Sequence, residues 1–119
     1  MGNINATLDN LVTLDGAMAA AVVDSKSGMA LGTVGGGFNL EVAAAGNSEV
    51  IRSKEKVMAS LGLSDKIEDI LITLGHQYHL IRPLATTQNL FMYLVLNRDK
   101  SNLALARHKL SEAEKMLEV

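Results

Sequence analysis

At 119 residues the chain has the length of one compact domain, and 48% hydrophobic against 20% charged residues supplies a core and excludes a disordered tail, so residues 1–119 are expected to fold as a single unit. A formal net charge of −2, no Trp and only 3% aromatic residues exclude the cationic surplus and the stacking platforms that nucleic acid requires. The lack of Cys removes disulfides, zinc ribbons, iron–sulfur clusters and thiol nucleophiles, and no apolar run nears the ~20 residues of a membrane span, so a soluble, cytoplasmic protein with no membrane partner is expected.

Ile4, Leu8, Leu11 and Val12 recur at helical spacing behind Asn3, whose side chain can accept backbone N–H groups, so residues 4–13 read as a short amphipathic helix that Gly16 ends. Ala17 to Val23 is apolar throughout, bounded by Gly16 and the polar Asp24-Ser25-Lys26-Ser27-Gly28 turn, which is the pattern of a strand covered on both faces. Met29 to Val34 follows as its hairpin partner, because so short a connection permits only antiparallel pairing. Asn39 opens the longest helix candidate, running to Leu61, and its Ala43-Ala44-Ala45-Gly46 stretch suits close approach to a neighbour.

Gly62 and Ser64 interrupt the chain before Ile67 to Leu74, a β-branched run with Ile70, Ile72 and Leu74 on one face and Leu71 and Thr73 on the other. Gly75 turns into Gln77 to Arg82, a more polar strand that ends at Pro83 and is expected to be less buried. Leu90 to Leu96 is apolar throughout and, like the first strand, is expected at the centre of the sheet. After a capping-rich loop from Asn97 to Asn102, Leu103, Ala106, Leu110, Ala113 and Leu117 alternate steps of three and four along a closing helix. Helix, two strands, helix, three strands, helix is an α+β order, with helices packed on a five-stranded antiparallel sheet.

Catalytic chemistry has no visible home in this pattern. Gly32-Thr33-Val34-Gly35-Gly36-Gly37 is followed by Phe38-Asn39 where a P-loop needs Lys and Ser or Thr, so it reads as a flexible strand-to-helix connection. His76 and His79 would face opposite sides of a strand and His108 lies on another element, so they are expected as partly exposed histidines of ordinary pKa rather than metal ligands. Among Glu41, Glu49, Glu55, Glu68 and Asp69, the adjacent Glu68 and Asp69 point apart in a strand, and no serine sits in a nucleophile elbow. The expectation is a non-enzymatic protein with no cofactor and no metal.

The Ile67 to Leu74 run is more informative. As a central strand it would need no partner. As the edge of the sheet it would leave unpaired amides and carbonyls beside apolar side chains, an arrangement that natural proteins rarely leave uncovered. Pairing with the same strand of a second copy would satisfy those groups with two-fold symmetry, which makes Ile67, Ile70, Leu71, Ile72 and Thr73 the candidate dimer interface.

Five stretches carry a family resemblance. Ala20-Ala21-Val22-Val23-Asp24-Ser25-Lys26-Ser27-Gly28-Met29-Ala30-Leu31 resembles the strand, turn and strand near the start of roadblock/dynein light-chain domains. Ile67-Glu68-Asp69-Ile70-Leu71-Ile72-Thr73 and Tyr78-His79-Leu80-Ile81-Arg82-Pro83-Leu84 resemble that family's third and fourth strands. Leu90-Phe91-Met92-Tyr93-Leu94-Val95-Leu96 and Asn102-Leu103-Ala104-Leu105-Ala106-Arg107 resemble its last strand and closing helix. The resemblance implies a roadblock/profilin-like sandwich whose protomers join through the third strand and pack their long helices side by side. It also implies a dimeric platform without enzymatic activity, of the kind that binds Ras-like small GTPases or joins motor and signalling assemblies. No catalytic arginine motif of the family can be placed here. The resulting expectation is a homodimeric adaptor for a Ras-like small GTPase, with Glu49, Arg52 and Lys56 on the charged side of the long helix as contacts. The alternatives are a small-ligand sensor or a scaffold subunit of a signalling complex without a GTPase.

Overall fold

Apolar residues run on both sides of two strands, and those two strands sit next to each other in the middle of the sheet. The computed structural model describes residues 2–119, and Met1 lies outside it. Along the chain come α1 (Ile4–Leu11), β1 (Ala17–Asp24), β2 (Met29–Gly35), α2 (Leu40–Ser60), β3 (Ile70–Thr73), β4 (Gln77–Pro83), β5 (Leu90–Asn97), a 3₁₀ turn (Arg98–Lys100) and α3 (Leu103–Met116). The strands form one antiparallel sheet in the order β2-β1-β5-β4-β3, so β3 is an edge.

The pleat sorts the core into two layers. Ala20, Val22, Leu80, Met92, Leu94 and Leu96 meet α1 and α3 through Leu8, Leu11, Ala106 and Leu110. On the other face Ala19, Ala21, Val23, Ile81, Phe91, Tyr93 and Val95 lie beneath Leu40, Ala44 and Ile51 of α2. One helix therefore has a whole sheet face to cover. Five strands at ~4.8 Å span roughly 20 Å while a helix is ~10 Å across, and α2 packs chiefly on β1 and β2.

Several expectations are corrected. The first helix ends at Leu11, and the Asn3 side chain does not cap it. Asn3 instead accepts from the Glu118 amide at 2.6 Å and donates to the Met116 carbonyl at 2.7 Å, closing the far end of α3. The third strand is only Ile70–Thr73, which leaves Ile67 outside it. Two features shorten it: β4 ends in Pro83, which has no amide for a partner, and Asp69 is drawn to Arg107 of α3 in a bidentate pair at 2.9 and 3.2 Å. The fourth strand is less buried than β1 and β5 but more than β3, since it lies between β3 and β5 with Leu80 and Ile81 fully enclosed. The glycine stretch is not all connection, since Gly32 and Gly35 belong to β2, where a Cβ on Gly32 would collide with the Ile4 side chain. In α2, Ala44 is buried against the sheet but Gly46 faces open space.

Candidate interaction surface

Two flanks of α2 differ in chemistry. Leu40, Ala44, Ser48 and Ile51, at steps of three and four, are the buried side. Asn39 caps its start by accepting from the Val42 amide at 3.1 Å. Turned away from the buried side, Val42 (66% exposed), Gly46, Val50, Val57 (47%) and Leu61 (66%) form an exposed apolar stripe, with open space beside Gly46. Glu49, Arg52 and Lys56 fall on the opposite flank. Arg52 reaches back to the β1–β2 turn, donating to the Ser25 carbonyl and pairing with Glu49. The charged flank thus faces the β1–β2 side, and the apolar stripe is left toward β3 and the outer part of β4, where Ile70, Ile72 and His79 are only partly buried.

That side of the sheet ends in β3. Ile70 and Ile72 point onto the α2 face and are partly buried, while Leu71 packs into the α1/α3 layer and Thr73 is exposed. The strand is hydrogen-bonded to β4 on one side only. Of the residues expected at a dimer interface, Ile70, Leu71, Ile72 and Thr73 share this edge, and Ile67 lies in the irregular segment before it.

A polar cluster occupies the same half-face. His79 of β4, paired with Val95, lies diagonally across from Tyr93 of β5, with ring centroids 5.6 Å apart in an edge arrangement, and Phe38 approaches the imidazole at 6.2 Å. The Tyr93 hydroxyl donates to Nδ1 at 3.0 Å and the Nε2 proton satisfies Gln77 Oε1 at 2.8 Å, a tautomer that leaves no ring nitrogen unpaired. Burial holds the His79 imidazole below its ordinary value, which corrects the expectation of ordinary behaviour, and burial pushes the Tyr93 phenol up. Among the described residues no group of three His, Asp or Glu side chains could hold a metal ion.

Sequence reasoning missed the most connected side chain. Glu114 of α3 is buried, accepts from Arg82 Nε at 2.8 Å and from the amides of Ala85 and Thr86 at 2.7 and 3.3 Å, and so fixes the β4–β5 loop. Its only sequence signal is an acid beside the apolar stripe of a helix.

No protein-family model matches the sequence, and no curated protein matches it. Solved structures do. The chain is similar to Myxococcus xanthus MglB, with a TM-score of 0.83 at 14% identity over 94% of this chain and 89% of that one. A Roadblock/LC7 domain from Streptomyces avermitilis superposes with a TM-score of 0.83 at 11% identity, covering 96% and 93%. A structure described as MglB with tetrameric arrangement gives 0.80 at 14%, covering 93% and 82%. Identities this low speak to architecture, and the architecture agrees element for element with the α+β order read along the chain. The chain has the roadblock fold.

Proposed function

We propose that this chain acts as a homodimeric adaptor that docks a Ras-like small GTPase. The observation that carries the dimer is the coincidence on one side of the molecule of three unpartnered features: the β3 edge, the half-buried Ile70 and Ile72 on the face beside it, and the apolar stripe of α2. A second copy related by a two-fold axis through β3 supplies hydrogen-bond partners to the edge and brings its own α2 alongside the half-buried Ile70 and Ile72. The reported tetrameric arrangement of one fold neighbour supports self-association in this architecture. The GTPase rests on the roadblock resemblance, and Glu49, Arg52 and Lys56 are the contacts, because their flank stays outside the dimer so built.

Light scattering is expected to give about twice 12.7 kDa. Ile72→Lys, which charges the open face without entering the α1/α3 layer, is expected to give a folded monomer, whereas a charge at the half-buried Leu71 would also disturb packing. A monomeric wild type at micromolar concentration, or a dimer that survives Ile72→Lys, would refute this geometry. Calorimetry against a Ras-like GTPase encoded nearby tests the second half. Lys56→Glu should weaken binding by about tenfold, and unchanged affinity removes the charged flank as the docking surface. Lys56 is the cleaner probe because Arg52 is already tied to Ser25 and Glu49.

A further inference from the structure

Past Ile51 no residue of α2 is fully buried, so its last turns overhang the end of the sheet. Beneath the overhang runs a groove of about 980 Å³ between α2, the 63–68 segment and the β4–β5 loop. Its residues on α2 are Ile51, Glu55, Met58 and Ala59; the first three continue the buried side of the helix, and none belongs to the apolar stripe assigned to the dimer.

The walls are fixed by specific bonds. Gly62, in the left-handed region at φ 72°, closes α2 with its amide on the Ala59 carbonyl at 3.1 Å and the Leu63 amide on the Met58 carbonyl at 2.9 Å. This pair of hydrogen bonds sets the direction in which the chain leaves the helix, and Met58 and Leu63 both line the groove. Leu63 is nonetheless 51% exposed. The Asp69–Arg107 pair anchors the end of the same segment, and Glu114 anchors the loop opposite. The groove is therefore preformed, a property of binding clefts.

Its charge is one-sided. The lining holds four acids, Glu55, Asp65, Glu68 and Glu114, against two bases, Lys66 and Arg82, so the whole net charge of −2 resides there and the rest of the chain is balanced. Arg82 is consumed by Glu114, and among the described residues Glu55, Asp65 and Glu68 form no ion pair. Apolar side chains at the base under a carboxylate rim complement one kind of occupant. We propose that this groove binds a cationic amphipathic peptide segment of a partner protein, its apolar side chains seated against Met58, Leu63 and Leu84 and its Lys or Arg groups against Glu55, Asp65 and Glu68. This goes beyond the dimer and GTPase reading and does not depend on it, since a monomer would carry the same groove.

The test uses a short synthetic peptide alternating Lys and Leu, its Glu and Leu counterpart, and spermine, which has the charge without the apolar groups, each titrated into the full chain and followed by amide chemical shifts. Saturable binding of the Lys-Leu peptide with shifts on residues 55–68 and 82–90 is expected. Ala59→Trp, which fills the groove without changing charge, should abolish it, and Glu55→Gln with Glu68→Gln should weaken it by about tenfold, as neutralising two partly exposed charges implies. Asp9→Asn, which removes a charge from α1, should leave it unchanged. Absence of Lys-Leu binding, equal binding of spermine or the acidic peptide, or binding undiminished by Ala59→Trp would overturn the proposal.

Discussion

Gly35→Ala is expected to lower the melting temperature by about 10 °C or more, the largest effect foreseen for the addition of one methyl group to this chain. Gly35 is the last residue of β2 and pairs with Ala19 of β1. Its φ is 94°, in the left-handed region, and a Cβ there would overlap the Met18 carbonyl oxygen and come within 2.6 Å of Ala19 Cα. The conformational penalty is about 1–2 kcal/mol and the overlap adds about 1–3 kcal/mol, because the atoms in the way are backbone of a central strand and cannot step aside. Gly36→Ala is the control, since nothing lies within 4 Å of the added carbon, and its effect should stay within about 0.5 kcal/mol. Thermal denaturation of the two variants side by side measures the difference. Equal stability would show that β2 does not hold this register against β1.

The second large effect is at Glu114. Replacing it with Ala leaves the Arg82 guanidinium and the amides of Ala85 and Thr86 without their acceptor. Removing one member of a buried pair costs about 3–5 kcal/mol, and the lower end applies here because Arg82 keeps 24% of its side chain in water while Glu114 keeps 6%. Urea denaturation should therefore report a loss of about 3 kcal/mol with little change in slope.

The pH dependence of this site has a definite sign. Burial alone would raise the Glu114 pKa, but the Arg82 guanidinium and the two loop amides outweigh it and hold the carboxyl below its ordinary value of 4.5. The unfolded chain then takes up the proton first. The stability contributed by the pair is fully present above pH 4.5 and is lost as pH falls through the lower folded value. His79 acts in the same direction in a higher window. Its folded pKa lies below the ordinary 6.5, so part of the stability goes as pH falls from 6.5 toward that lower value. Glu114→Gln should flatten the acid limb and leave the His79 limb intact, as denaturation across a pH series would reveal. An acid limb of unchanged slope would remove Glu114 as its source.

The chain order of helices and strands was legible in the sequence because each element advertises its period locally. Ala17 to Val23 and Leu90 to Leu96 are apolar on both faces, and both strands are central; Ala106, Leu110 and Ala113 keep the three-and-four spacing and are buried. The edge position of β3 was one of two readings the run from Ile67 to Leu74 left open, and the roadblock resemblance, which joins protomers through the third strand, favoured it. Of the candidate interface, only the placement of its residues can be compared. Ile70, Leu71, Ile72 and Thr73 share one edge, but Ile67 was assigned to the strand on β-branched composition alone.

What the sequence determined by itself was therefore the periodicity of each segment, and from it the layers of the sandwich. The tertiary structure decided everything that depends on which distant residue arrives next to which. It set β4 between β3 and β5, which enclosed Leu80 and Ile81 in a strand of polar appearance, and it shortened β3 by drawing Asp69 to Arg107. It divided one run of glycines into Gly35, locked against a central strand, and Gly36, facing open space. It turned Asn3 from a helix cap into a clasp on the end of α3 and made Glu114 the anchor of a loop. A hydrogen bond spanning 115 positions leaves no trace in local spacing, because either partner alone has the composition of ordinary surface, and only the folded topology brings the two within reach.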